Sequence, residues 1–270
     1  MGHEVVSINS HPSHWFHGHS PEPIKENLQI TTNLVKNSDV DFAFVHDGDG
    51  DRLVIITKEG IVPDYVFSYL LLSIIIQERK GDVIISINSS TALEELAHLH
   101  SCNISRARLG KTFITLDKLS GIYATEPSKV IDSDWGMWED GIHAALKLVH
   151  YMSVNNLDIE EMIKSVPKRS YLQNNIVLEA FDADLLKEKA LNTLEEPIEI
   201  QEIDGLRLIY SDGWVLFRVS GTEPKCRIYV ESNSEQRSID LMKKAAVSYT
   251  HLRAHETRED RGWRLGGGKK

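Results

Sequence analysis

At 270 residues, 41% of them hydrophobic and 26% charged, the chain is long enough for two domains, or one large one, with an ordinary soluble composition. Its formal net charge of −10 argues against nucleic acid and anionic membrane as main partners, but leaves room for a phosphorylated small molecule held by local basic groups. Cys102 and Cys226 form no ligand or redox motif, and the apolar run from Tyr65 to Ile76 is too short to span a bilayer. With no signal-peptide pattern ahead of it, a cytoplasmic setting with free thiols is expected.

In chain order, residues 4–8 read as a short buried strand. A loop rich in His and Pro follows, where His11, His14, His17 and His19 fit no single helix face. They read as solvated or stacked rings rather than a transition-metal tract. Pro21-Glu22-Pro23 then opens a helix running to Val35, because proline is favoured in a first helical turn. The apolar run Phe42–Val45 leads into His46-Asp47-Gly48-Asp49-Gly50-Asp51-Arg52, and Leu53–Ile56 leads out.

Three carboxylates this close repel one another unless a positive charge sits among them. A hard divalent cation supplies that charge and prefers oxygen ligands, and the glycines allow alternate side chains to converge. A calcium loop of the EF-hand type would need Gly and Glu where Arg52 and Lys58 stand, and helices on both flanks. An aspartate-nucleophile phosphatase of the haloacid-dehalogenase-like type is a further reading, since an apolar strand precedes Asp47; so is a plain acidic turn between strands.

A turn at 58–60 leads to a helix over 63–79, apolar almost all round and therefore buried. Strands at 83–87, 103–108 and 121–125 alternate with helices at 91–100 and 110–119, the pattern of a three-layer α/β unit whose ligands sit at strand carboxyl ends. Thr125-Glu126-Pro127-Ser128-Lys129-Val130 places an acceptor and a hydroxyl just after a strand, which suits either a turn or contact with sugar hydroxyls. Asp140-Gly141 precedes a long amphipathic helix, and a shorter helix spans 158–165. Beyond Pro167-Lys168-Arg169 the pattern changes. Strand 171–179, helix 182–195, strands 198–203, 206–210, 214–219 and 226–232 and a helix from 234 make an α+β layout on a mostly antiparallel sheet. Arg218-Val219-Ser220-Gly221-Thr222-Glu223-Pro224 reads as a phosphate loop or a plain turn: a glycine nest, two hydroxyls and a guanidinium fork.

Asp-Gly-Asp-Gly-Asp-Arg at 47–52, Glu126-Pro127-Ser128 and Arg218-Val219-Ser220-Gly221-Thr222-Glu223-Pro224 together resemble the α-D-phosphohexomutase superfamily, which includes phosphomannomutase/phosphoglucomutase and phosphoglucosamine mutase. Pro21-Glu22-Pro23 and Glu26-Asn27-Leu28 resemble the stretch that precedes the family's metal loop. The departures are Val219 for Pro, and Thr125, Lys129 and Val130 in the sugar loop, where the family commonly has Gly, Gly and His.

The resemblance implies a mixed-sheet, three-layer α/β domain followed by a smaller α+β (TBP-like) C-terminal domain. Residues 1–57 would be the end of domain two with the metal loop, 58–167 domain three, and 168–248 domain four. The 249–270 tail, ending Gly266-Gly267-Gly268-Lys269-Lys270, is expected to be non-native or disordered.

The activity implied is phosphotransfer between the 1 and 6 positions of a hexose or hexosamine phosphate through a bisphosphate. Mg²⁺ would sit on Asp47, Asp49 and Asp51. Arg52 and Lys111 are the implied catalytic groups; Glu126 and Ser128 would contact the sugar; Arg218, Ser220, Gly221 and Thr222 would hold its distal phosphate. Glu126-Pro127-Ser128 with His46 leans toward phosphoglucosamine or phosphomannose substrates. The family's phosphoserine loop does not occur in this sequence, so a truncated chain without turnover of its own is expected. A non-catalytic sugar-phosphate-binding remnant is the rival reading. Nothing in the sequence sets an oligomeric state.

Overall fold

The computed structural model describes residues 2–18, 20–177, 183–219 and 225–248, and the chain divides after Pro167 into two units, each with its own core. Among the described residues no helix is long and apolar enough to cross a membrane.

In the first unit α1 (Gln29–Asn37) packs on a three-stranded antiparallel sheet of β1 (Phe42–Val45), β2 (Val54–Thr57) and β3 (Gly60–Ile61). Leu28 and Val35 bury against Val54 and Ile56. Lys58 Nζ donates to the carbonyls of Val35 and Ser38 at 2.7 and 2.6 Å, satisfying acceptors that the end of α1 leaves open. The helix starts later than Pro21 predicts. The Asn27 side-chain amide donates to the Ser20 and Glu22 carbonyls and ties that stretch into turns instead.

Next come α2 (Asp64–Glu78), β4 (Val83–Ser86), α3 (Thr91–Leu99), β5 (Ile104–Ala107), α4 (Thr112–Leu119), β6 (Tyr123–Glu126), β7 (Lys129–Asp132), α5 (Gly141–Asn155) and α6 (Ile159–Ser165). The sheet order is β5-β4-β6-β7, with β4 parallel to β5 and β6, and β7 antiparallel to β6. As the all-round apolar pattern requires, α2 is central. Phe67, Leu71 and Ile75 pack with Leu53 and Ile55 of the β2 segment, Ile85 of β4, Leu93 of α3 and Leu148 of α5. On the opposite face Ile84, Ala124 and Ile131 meet Leu116 of α4. Helices on both sides of a mixed sheet give the expected three layers.

The second unit pairs β8 (Ser170–Val177), β9 (Glu199–Gln201), β10 (Leu206–Tyr210), β11 (Gly213–Val219) and β12 (Lys225–Ser232) in the order β8-β12-β11-β10-β9, antiparallel throughout. Leu186 and Ala190 of α7 (Ala183–Thr193) and Leu241 and Ala245 of α8 (235–248) cover one face. On that sheet the Arg207 guanidinium stacks 4.7 Å from the Trp214 ring centre, and both residues are buried. Cys102 and Cys226 are free and buried; burial pushes the Cys226 thiol up to about 11.

A second expectation fails beside the early helix start. Residues 4–8 form no strand, and Val5 and Val6 are exposed. A β-strand exists only where a neighbour completes its ladder, and among the described residues none lies beside this segment. The stretch after Glu126 forms a turn, one of the two readings its sequence allows. It is a hairpin, with Thr125 opposite Val130 and Glu126 opposite Lys129. Proline at the first turn position and Ser128 at φ +62° in the second are the combination of a type II turn. The predicted disorder of 249–270 lies outside the described residues.

Candidate functional site

The acidic loop joins two antiparallel strands whose register, Val45 opposite Val54, forces the intervening residues back on themselves. Gly50, at φ +75°, makes the turn that an L side chain resists. One carboxylate oxygen from each of Asp47, Asp49 and Asp51 then lies within 4.8 Å of the others. Strands rather than helices flank the loop, which removes the EF-hand reading. Among the described residues this is the one cluster of His, Cys, Asp and Glu with metal-ligand spacing, so the histidines of 11–17 gather no such set.

The trio carries unbalanced negative charge. Burial, together with the Asp51 and Asp49 charges, raises the Asp47 carboxyl above its ordinary value, although the Arg52 amide donating to it at 3.2 Å acts the other way. Asp51 Oδ1 is buried and accepts no hydrogen bond. Three hard oxygen donors, one of them a buried carboxylate oxygen without a hydrogen-bond partner, fit a magnesium ion.

Neighbouring segments fix the loop. The Leu53 amide donates to the Ser128 carbonyl at 2.8 Å, and Arg52 forms a β-bridge with Lys129, so the metal hairpin and the 127–128 turn are stitched together. The Gly141 amide donates to the Gly50 carbonyl at 3.0 Å, setting the first turn of α5 against the loop. The His46 ring nitrogen Nδ1 lies 3.0 Å from the Arg52 carbonyl.

Arg52 ion-pairs with Glu22, and its Nε lies 3.5 Å from Asp47. Lys111 is exposed at the start of α4. Ser128 hydrogen-bonds the Asp64 carboxylate at the start of α2. Glu126 is 8% exposed, and its two oxygens accept from the Gly110 amide at 2.8 Å and from the Thr112 hydroxyl at 2.8 Å. An anion there also meets the positive end of α4. Glu126→Gln is therefore expected to lower stability by about 1–2 kcal/mol, because one acceptor becomes an amide donor facing donors. Urea unfolding measures this, and an unchanged midpoint would show that the cap is dispensable.

In the second unit Arg218 is held by Asp204 at 2.7 Å and stands opposite Arg227 in the sheet. Ser220, Gly221 and Thr222 lie outside the described residues.

Sequence reasoning passed over two members of this site. Lys129 ion-pairs with Asp51, and its Nζ lies 2.9 Å from Glu139. Burial lowers the Lys129 ammonium, but the two carboxylates outweigh it and raise it overall. Burial raises Glu139, and Lys129 offsets only part of that. The local signal was a lysine inside the quoted 125–130 stretch. Glu139 had none, because only the course of the chain brings it to the loop.

Profiles of the phosphoglucomutase/phosphomannomutase family match the chain in sequence: α/β/α domain II at residues 1–60, α/β/α domain III at 63–170 and the C-terminal domain at 169–246. A phosphoglucosamine mutase of Methanococcus aeolicus is 30% identical over 259 residues, 90% of this chain and 57% of that protein. A phosphopentomutase of Thermococcus kodakarensis is 28% identical over 261 residues, 93% of this chain and 58% of that protein. The chain thus spans a little over half the length of these relatives. In fold it resembles a phosphoglucomutase/phosphomannomutase family protein of Burkholderia thailandensis, with TM-score 0.77, 23% identity, and 88% of this chain on 53% of that one. It also resembles an Aspergillus fumigatus N-acetylphosphoglucosamine mutase in complex with GlcNAc-6P and magnesium, with TM-score 0.59, 13% identity, and 83% on 52%.

Proposed function

The chain belongs to the phosphoglucomutase/phosphomannomutase family, and from that premise we propose that it serves phosphotransfer between the 1 and 6 positions of a hexose or hexosamine phosphate through a bisphosphate intermediate. The observation that carries this reading is the Asp47, Asp49 and Asp51 trio, convergent on one point with a buried oxygen of Asp51 left unpaired. The matched regions motivate the same division into the end of domain two at 1–57, domain three at 58–167 and domain four at 168–248. A cytoplasmic setting belongs to the same proposal.

In this reading the three aspartates hold Mg²⁺, as a fold relative's complex with magnesium and GlcNAc-6P supports. Held there, the ion would supply the positive charge that a transferring phosphoryl group calls for. Arg52, braced by Glu22 and Asp47, positions the reacting serine loop, which must come from outside these residues. Lys111 offers a second cation. Glu126 and Ser128 meet sugar hydroxyls, Glu126 with lone pairs beyond those its helix uses. Arg218, Ser220, Gly221 and Thr222 grip the distal phosphate, with Asp204 fixing the Arg218 fork.

Calorimetric titration of the chain with a hexose 1,6-bisphosphate tests this. Binding is expected to require Mg²⁺, and Asp49→Asn is expected to weaken Mg²⁺ affinity at least tenfold, or about 1.4 kcal/mol. Arg218→Ala is expected to weaken bisphosphate binding. Binding indifferent to Mg²⁺ and to Asp49→Asn would overturn the assignment. A phosphorylated Asp47 after incubation with sugar phosphate would favour the aspartate-nucleophile reading.

A further inference from the structure

We propose that Lys129 is a resident counter-ion that competes with a divalent cation for Asp51 and thereby sets how tightly the acidic loop takes its metal. The proposal rests on the metal reading above and goes beyond it.

The ammonium is delivered to the loop by the backbone. Lys129 opens β7, is bridged to Arg52, and follows Ser128, whose carbonyl accepts from Leu53. Its position relative to Asp51 is therefore a property of two stitched hairpins, and its side chain is only 21% exposed. One oxygen of Asp51 takes the ammonium, while the other is buried and unpartnered.

An ammonium brings a single charge and donors at hydrogen-bond range, so it cannot satisfy three carboxylates as a closely coordinated divalent ion does. The charges nearby stay unbalanced: Asp47, Asp49, Asp51, Glu22 and Glu139 face only Lys129 and Arg52 among the ion pairs described around the loop. The loop therefore favours a divalent cation, at the cost of the Lys129–Asp51 pair.

Glu139 makes that exchange feasible. It already holds Lys129 Nζ at 2.9 Å, so the ammonium can leave Asp51 without becoming an unpaired buried charge. A lysine here therefore weakens metal binding without blocking it, whereas an uncharged residue would leave Asp51 wholly to the metal.

The test is calorimetric titration with Mg²⁺, and in parallel Mn²⁺, at fixed ionic strength. Wild type, Lys129→Met, Lys129→Arg and Asp49→Asn are compared. Lys129→Met is expected to bind at least about tenfold tighter than wild type, or about 1.4 kcal/mol. Lys129→Arg, which keeps the charge, is expected to stay within about threefold of wild type. Equal or weaker binding by a folded Lys129→Met, with Asp49→Asn still impaired, overturns the competition and leaves the metal site standing. No binding by any form overturns the metal reading, and this proposal with it. Should Lys129→Met not fold, reductive methylation of wild type read by mass spectrometry replaces it. Lys129 is expected to label faster with Mn²⁺ bound, when only Glu139 holds it, and an unchanged rate overturns the proposal.

Discussion

Gly141→Ala is expected to lose about 3 kcal/mol of stability and to weaken metal binding in the same variant. A Cβ at Gly141 would lie 2.4 Å from the Arg52 carbonyl oxygen, 2.8 Å from its carbon and 3.0 Å from the Gly50 oxygen. All three are backbone atoms of the acidic loop and cannot rotate aside as a side chain could. Relief requires the first turn of α5 to move away, which breaks the 3.0 Å hydrogen bond from the Gly141 amide to Gly50. Asp140 caps that same turn by accepting from the His143 amide at 2.8 Å, so the shift disturbs the cap as well. Both effects follow from one displacement, since the atoms pushed away belong to the residues on either side of Asp51. Chemical denaturation and Mg²⁺ titration of the variant measure the pair. Ile142→Ala is the control: its side chain is 55% exposed, and a change within about 0.5 kcal/mol is expected. A Gly141→Ala protein as stable as that control would show that helix and loop are not in contact.

Asp132→Ala is expected to cost a similar amount, about 3 kcal/mol, by a different mechanism. The Asp132 side chain is 2% exposed. It ion-pairs with Arg79 and with Lys147 at 3.0 Å, and its Oδ2 lies 3.3 Å from the His143 ring nitrogen Nε2. Its removal takes the buried counter-charge from two partly buried cations: among the described residues Lys147 keeps Glu78 at 2.7 Å, and Arg79 keeps the Ile122 carbonyl at 3.1 Å, with Glu78 and the exposed Asp134 farther off. Burial alone would raise the Asp132 carboxyl, but the hydrogen bonds and charges of Arg79 and Lys147 outweigh it and leave it below the ordinary value.

That direction fixes the pH dependence. A carboxyl with a lower value when folded than when unfolded stabilises fully above the unfolded value of 3.8, and the contribution disappears as pH falls through the folded value. Wild-type stability should therefore drop more steeply below about pH 4 than that of Asp132→Asn, because only wild type has this proton to take up. Parallel pH profiles for the two proteins would sink the idea.

Much of this molecule follows from local pattern. The buried α2 shows in a run with no polar face, the alternation of 83–125 in the switch between periods of two and 3.6, and the acidic loop in three aspartates spaced by glycines. Misreadings arose where a partner outside the segment's own pattern decided the outcome. Val5, Val6 and Ile8 carry the apolar residues of a strand, but a strand needs a neighbouring edge. Pro21 suits a helix start, but the amide of Asn27 holds the segment in turns. Glu126 was legible as a polar group after a strand; that its oxygens would serve Gly110 and Thr112 was not.

The acidic loop, the layered α/β unit, the antiparallel second unit and the family motifs are all legible along the chain, because each depends on residues within a few positions of one another. The electrostatic setting of that loop arises only in the folded chain. Lys129 reaches Asp51 across two hairpins, Glu139 arrives from the approach to α5, and Gly141 is required because a helix start lies against the backbone of Gly50 and Arg52, leaving no room for a Cβ. Coulomb energy depends on distance through space, and no spacing along the chain encodes that distance until the strands have paired.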